Sequence, residues 1–69
     1  MKKIIDIEGM HCNHCVMKVE NALKEIEQVA KVKVNLTKKQ AEVYLNGDVA
    51  DEILINAIKD VDFDVVKIS

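Results

Sequence analysis

Val32-Lys33-Val34-Asn35-Leu36-Thr37-Lys38-Lys39-Gln40-Ala41-Glu42-Val43-Tyr44-Leu45 is the stretch that organises the rest of the chain. Apolar and polar residues alternate on both sides of Thr37-Lys38-Lys39, a spacer short enough for a hairpin. Two neighbouring antiparallel strands, Val32–Leu36 and Ala41–Leu45, are therefore expected at the centre of the sequence. Toward the N-terminus the period lengthens. Val16, Val19, Leu23 and Ile26 recur three, four and three residues apart, which predicts an amphipathic helix of about 14 residues with Asn13 as its N-cap. Before it, Ile5 and Ile7 alternate with Asp6 and Glu8, a half-buried strand over residues 2–8 that Gly9 ends. On the other side of the hairpin, Asn46-Gly47-Asp48 signals a turn. Leu54, Ala57, Ile58 and Val61 then form a helical stripe, with Asp48, Asp51 and Glu52 placing negative charge near its start. Phe63 to Ile68 reads as a last strand.

The resulting order, βαββαβ, predicts an α+β fold of the ferredoxin-like type: one four-stranded antiparallel sheet with both helices on one face. The opposite face would carry Asp6, Glu8, Lys33, Glu42 and Tyr44 into water. At 69 residues, with no linker or low-complexity tract, residues 1–69 are expected to be a single domain. Hydrophobic residues make up 49% of the chain, which favours a packed core over disorder. No unbroken apolar run exceeds three residues, as in Ile53-Leu54-Ile55, so no membrane span is expected. A net charge of −2, no Arg, and a single Tyr and Phe argue against nucleic-acid binding. Lys2 and Lys3, with Asp6 and Glu8 soon after them, do not read as a signal peptide, so a cytoplasmic location is expected.

That expectation bears on Cys12 and Cys15, the only cysteines. A disulfide between residues three apart would tie no distant elements together. In a reducing compartment such a pair is more often metal-binding or redox-active than structural. The segment Gly9-Met10-His11-Cys12-Asn13-His14-Cys15 lies where the first strand hands over to the first helix. One thiol in the loop and one in the first helical turn can face a single ion, and the free N–H groups of a helix start favour thiolate over thiol. Two thiolates with no further compulsory ligand suit a soft ion of low coordination, above all Cu(I). Structural zinc ordinarily takes four ligands, and a run this short would struggle to wrap His11 and His14 round the ion together with both cysteines. A dithiol oxidoreductase is the competing reading. Thioredoxin-like folds depend on a cis-proline opposite the disulfide, and this chain has no proline.

Gly9-Met10-x-Cys12-x-x-Cys15 on a βαββαβ chain of this length resembles the heavy-metal-associated domain family, and within it the free-standing bacterial copper chaperones. The resemblance extends through Val32-Lys33-Val34-Asn35-Leu36, Ala57-Ile58 and Phe63-Asp64-Val65. It implies Cu(I) held by Cys12 and Cys15 and delivered to a matching site on a copper-transporting P-type ATPase. Two positions depart from the pattern: Asp62-Phe63 stands where the bacterial chaperones often have Gly-Tyr, and Gln28-Val29 where the family often has Gly before Val. Phe at position 63 also occurs in domains borne by the ATPases themselves.

Around the two ligands, Met10 is expected to tuck into the core and prop the loop. Phe63 is expected to reach the loop from the start of the last strand and shield the sulfurs. His14 is a candidate third ligand, while His11 reads as exposed loop. Lys18 and Lys24, against Asp60, Asp62 and Asp64, are candidates for steering a partner, and two copies sharing metal through their loops would form a homodimer. Other soft or borderline ions, Hg(II), Zn(II), Cd(II) or Ag(I), and a domain cut from an ATPase, remain alternatives within the same binding class.

Overall fold

The computed structural model describes residues Met1–Ser69. Its elements run β1 (Lys2–Glu8), α1 (Asn13–Lys24), β2 (Val29–Asn35), β3 (Gln40–Leu45), α2 (Asp51–Lys59) and β4 (Asp64–Ile68). The strands form one antiparallel sheet in the order β2-β3-β1-β4: each helix crossover skips one strand position, so β3 lies between β1 and β2 while β4 pairs with the other side of β1. This is the expected ferredoxin-like sandwich.

Alternation along the strands decides what enters the core. Ile5 and Ile7 of β1, Val32 of β2, and Ala41, Val43 and Leu45 of β3 are buried against Val19 and Leu23 of α1 and Leu54 and Ile58 of α2. All 13 buried residues are apolar, so cohesion of the core rests on hydrophobic burial and close packing, with no buried polar network. Lys3 has the same parity as Ile5 and Ile7 and lies at the margin of this face. Its stem runs along the sheet while the ammonium donates to the Val49 carbonyl at 3.0 Å and pairs with Asp51 at the start of α2. On the open face the register sets Lys33 beside Glu42 and Lys31 beside Tyr44. The Tyr44 hydroxyl donates to Glu42 at 3.1 Å, and the ammonium groups of Lys2 and Lys31 lie 5.9 and 6.0 Å from its ring centre.

Several boundaries differ from the periodic reading, each for a local reason. α1 starts at Asn13 rather than being capped by it: Cys12 is the extended N-cap, with φ −155° and ψ 172°. The helix stops at Lys24, two residues before Ile26. The Ile26 N–H bonds to the Leu23 carbonyl in a tighter turn, which keeps Ile26 in phase with the apolar stripe after the helix has ended. β2 begins at Val29, three residues early, because a register shift between Val29 and Lys31 leaves Ala30 as an extra residue and breaks the alternation there. Leu36 belongs to the hairpin turn, where the Asn35 side chain accepts the Lys38 N–H at 3.0 Å. α2 is capped by Ala50, so Asp48 lies outside it, and Val61 follows the helix. Phe63 precedes β4.

Between α2 and β4 the chain reverses at Asp62, whose φ of 69° lies in the left-handed region. Asp tolerates this better than most residues but still strains Cβ against the backbone. Asp62→Gly is expected to raise stability by a few tenths to about 1 kcal/mol, the relief of strain exceeding the extra freedom of the unfolded chain. Denaturant unfolding should show the midpoint rise with an unchanged slope, whereas Asp62→Ala should lower it.

Candidate metal centre

Gly9 ends β1 with φ 103°, a conformation open to glycine and costly for other residues. The chain then turns back over the sheet. Met10 is drawn into the core, 1% exposed, and His11 and Cys12 emerge into solvent. At Cys12 the backbone is extended, and its carbonyl accepts from the N–H groups of Cys15 at 3.1 Å and Val16 at 3.2 Å, which starts the helix. No side chain caps that end. A Ser, Asp or Asn at this position would direct an oxygen at the free N–H groups; a cysteine leaves them open and keeps its sulfur available. The N-terminal charge of the helix is thus directed at thiols.

Cys15 lies one turn into α1 and is half-buried, while Cys12 is exposed. Their sulfurs are 3.6 Å apart, close enough to share a ligand and well beyond bonding distance, and both are free thiols. The N–H of His11, directed at Cys15 Sγ, does most to hold the Cys15 thiol below the ordinary thiol range. Partial burial opposes this, while the Cys12 thiol, the Cys12 N–H and the Lys18 ammonium add to it. Because the folded thiol is the stronger acid, folding favours its thiolate. That contribution is complete above the unfolded thiol's pKa and is lost as pH falls through the lowered folded value. Accordingly, anaerobic alkylation of Cys15, followed by peptide mapping across pH, should reach half-maximal rate at lower pH than a cysteine in an unfolded peptide. An identical midpoint for the two would contradict the geometry.

The other residues singled out by the sequence fall into two groups. Phe63, 9% exposed, packs beside the loop: a Cβ added to Gly9 would lie 3.2 Å from Phe63 Cδ1. With Met10 it belongs to the core that underlies the site. His11 and His14 are exposed, as are Asp60, Asp62 and Asp64. No third His, Cys, Asp or Glu joins the two thiols in a cluster able to hold a metal ion. Lys18 and Asp60 line a shallow groove between α1 and α2, on opposite walls, whereas Lys24 is paired with Glu20 at 2.8 Å. The backbone N–H of His11 has no signature in the sequence, because any residue supplies one. Lys18, expected above only to steer a partner, could also have been tied to Cys15 from spacing, since it lies three residues further along the helix. No helix is long and apolar enough to cross a membrane.

Comparison with known proteins converges on one family. Residues 4–64 match the heavy-metal-associated domain. The copper chaperone CopZ of Staphylococcus aureus is 41% identical over 66 residues, covering 94% of this chain and 97% of that protein. Among solved structures, a CopZ metallochaperone superposes with a TM-score of 0.89 at 39% identity, covering 96% of this chain and all of that one. A copper-binding domain from HMA7, a P-type ATPase, superposes with a TM-score of 0.84 at 29% identity, covering 100% and 99% of the two chains.

Proposed function

Because the chain belongs to the heavy-metal-associated domain family, we propose that it is a copper chaperone that carries Cu(I) on Cys12 and Cys15 and delivers it to a copper-transporting P-type ATPase in the cytoplasm. It is a carrier rather than an enzyme. The observation that carries this reading is the pair of free thiols 3.6 Å apart at an uncapped helix start, with no third donor in the cluster. Two thiolates satisfy Cu(I), whereas structural zinc would lack two of its four ligands.

Delivery follows from exposure. With metal–sulfur bonds of about 2.3 Å, sulfurs 3.6 Å apart hold an ion at an angle of about 100°, and a near-linear ion needs them roughly 1 Å further apart. Cys12, exposed on the loop, can make that movement; Cys15 is fixed in the helix. The same exposure lets a thiolate from a partner's matching site bind before one of the chaperone's sulfurs leaves, through a three-coordinate shared state. Copper thereby moves between proteins without being released. The likeness to the HMA7 ATPase domain supports a partner of the same fold, and two copies of this chain could share metal in the same way.

The test is an anaerobic competition titration of the reduced protein against a chromogenic Cu(I) chelator, with a Zn(II) titration and a Cys12→Ser, Cys15→Ser double variant in parallel. Cysteine-dependent binding of at most one Cu(I) per monomer, with much weaker Zn(II), is the expected result. Failure to compete for Cu(I) alongside strong Zn(II) or Hg(II) binding would overturn the function. Turnover in an insulin-reduction assay without metal would point instead to a dithiol reductase.

A further inference from the structure

We propose that Asn46-Gly47, in the turn between β3 and α2, is a site of spontaneous covalent modification: the Gly47 backbone nitrogen attacks the Asn46 side-chain amide, and residue 46 converts to aspartate and isoaspartate. The fold leaves both reacting groups free. Asn46 is exposed and Gly47 half-buried. The Asn46 side-chain amide makes no hydrogen bond within the protein, and the Gly47 N–H donates to no carbonyl. Nothing lies within 4 Å of the position a Cβ would take on Gly47, so no neighbour bars the approach. Glycine also reaches the torsions that ring closure needs more readily than any other residue. The other asparagines are placed differently. Asn21 and Asn56 lie inside helices, where the next N–H belongs to the i→i−4 ladder. The Asn35 side chain accepts the Lys38 N–H at 3.0 Å and precedes the branched Leu36, and Asn13 is followed by His14 in the first turn of α1.

The step needs only water. The Gly47 nitrogen gives up its proton and bonds to Asn46 Cγ; the Cγ–Nδ2 bond breaks and Nδ2 leaves with that proton as ammonia, closing a cyclic imide. Water then opens the ring at either carbonyl. Attack at Cγ breaks the new C–N bond and gives aspartate. Attack at the main-chain carbonyl breaks the original peptide C–N bond and leaves Gly47 joined through Cγ, which is isoaspartate. Nothing is oxidised or reduced: water enters, ammonia leaves, and a neutral amide becomes a carboxylate. Isoaspartate places an extra methylene in the main chain, and the connection here has little slack. The Leu45 N–H bonds to the Met1 carbonyl at 2.7 Å and the Asn46 N–H to the Gln28 carbonyl at 2.8 Å. Val49, 6% exposed, is seated in the core and accepts Lys3 Nζ at 3.0 Å through its carbonyl. An added atom between these anchors works against the seating of Val49 and the start of α2. Because Lys2, at the start of β1, pairs with Tyr44, this turn lies at the end of the sheet away from the thiol loop, which follows the end of β1.

This inference does not rest on the copper-carrier reading, and its test uses the reduced, metal-free full chain. The protein and a short peptide spanning Tyr44–Val49 are incubated in parallel at neutral and mildly alkaline pH. Conversion at each asparagine is followed by peptide mapping and anion-exchange separation. Asn46 in the folded chain should convert within about tenfold of the peptide rate, because no opening of the structure is needed first. The rate should rise with pH as the Gly47 nitrogen loses its proton more readily. Asn21 and Asn56 should convert at least about tenfold more slowly than Asn46, since their neighbours' N–H groups react only after local unfolding. Gly47→Ala puts its Cβ in open space at a torsion outside the left-handed region, so it should fold like wild type. It should nevertheless slow conversion at residue 46 by at least about tenfold. The isoaspartate fraction should unfold at lower denaturant than Asn46→Asp, which carries the same charge without the extra main-chain atom. Conversion more than about tenfold slower in the folded chain than in the peptide would show that the fold protects the site and would overturn the proposal. So would unslowed conversion in folded Gly47→Ala. An isoaspartate fraction as stable as Asn46→Asp would overturn the structural consequence.

Discussion

Serine at either Cys12 or Cys15 is expected to lower Cu(I) affinity by at least about a thousandfold and to stop transfer to a partner site, because on the proposed function a hard, protonated hydroxyl would replace one of only two soft thiolates. No neighbouring group can substitute, since no third potential ligand joins the pair. The two single variants should nevertheless differ in stability. Cys12 is the N-cap of α1 and leaves the helix end uncapped. A serine there supplies the oxygen acceptor that the position lacks, so Cys12→Ser should be stabilised by about 0.5–1 kcal/mol. Cys15 is half-buried and makes no capping contact of that kind, so Cys15→Ser should be neutral to slightly destabilised. A competition titration combined with thermal unfolding reads both effects. Loss of copper binding with a gain in stability at residue 12 would indicate that the cysteine is kept there for its sulfur at the expense of the helix. Transfer that persisted in both single variants would refute the two-thiolate mechanism.

Met10 gives the second large effect, on stability. Its side chain is 1% exposed within the apolar cluster formed by the sheet and both helices. Met10→Ala should cost about 2–5 kcal/mol through lost burial and the cavity left behind. A domain of this size has a total stability of only a few to about 10 kcal/mol, so the variant should be partly unfolded at room temperature. Met10→Leu conserves volume and should cost less than about 1.5 kcal/mol. Leucine has no sulfur, so the same variant separates packing from ligation: Cu(I) affinity should stay within about twofold of wild type. A tenfold loss of affinity in a fully folded Met10→Leu protein would instead make the Met10 thioether a ligand.

Each of these effects had a different degree of visibility in the sequence. The two cysteines and their place at a strand-to-helix junction were legible because spacing and hydrophobic period are local quantities. Burial of Met10 was legible for a related reason, since a large apolar residue next to a turn, with polar neighbours at positions 11 to 14, has one favourable direction to point. The N-cap was not. Asn13 has the better capping side chain, yet the extended residue is Cys12, and which residue leaves the helical conformation is set by how the loop returns from β1. Ala30 and Val66 were hidden for another reason. Each is the extra residue at a register shift, Ala30 in β2 and Val66 in β4, and Val66 is left 64% exposed within an apolar strand. Alternation counted along one strand cannot reveal a bulge that exists only relative to its neighbour.

By itself, then, the sequence determined the order of elements, the face each one buries, and two thiols delivered to a helix start, because a period of two or 3.6 residues and a spacing of three act over a few neighbouring positions. Tertiary structure alone decided how that loop is held. The approach of the Phe63 ring to the side-chain position of Gly9 depends on pairing β4 beside β1. It joins residues far apart in the chain, and only closure of the sheet brings them together.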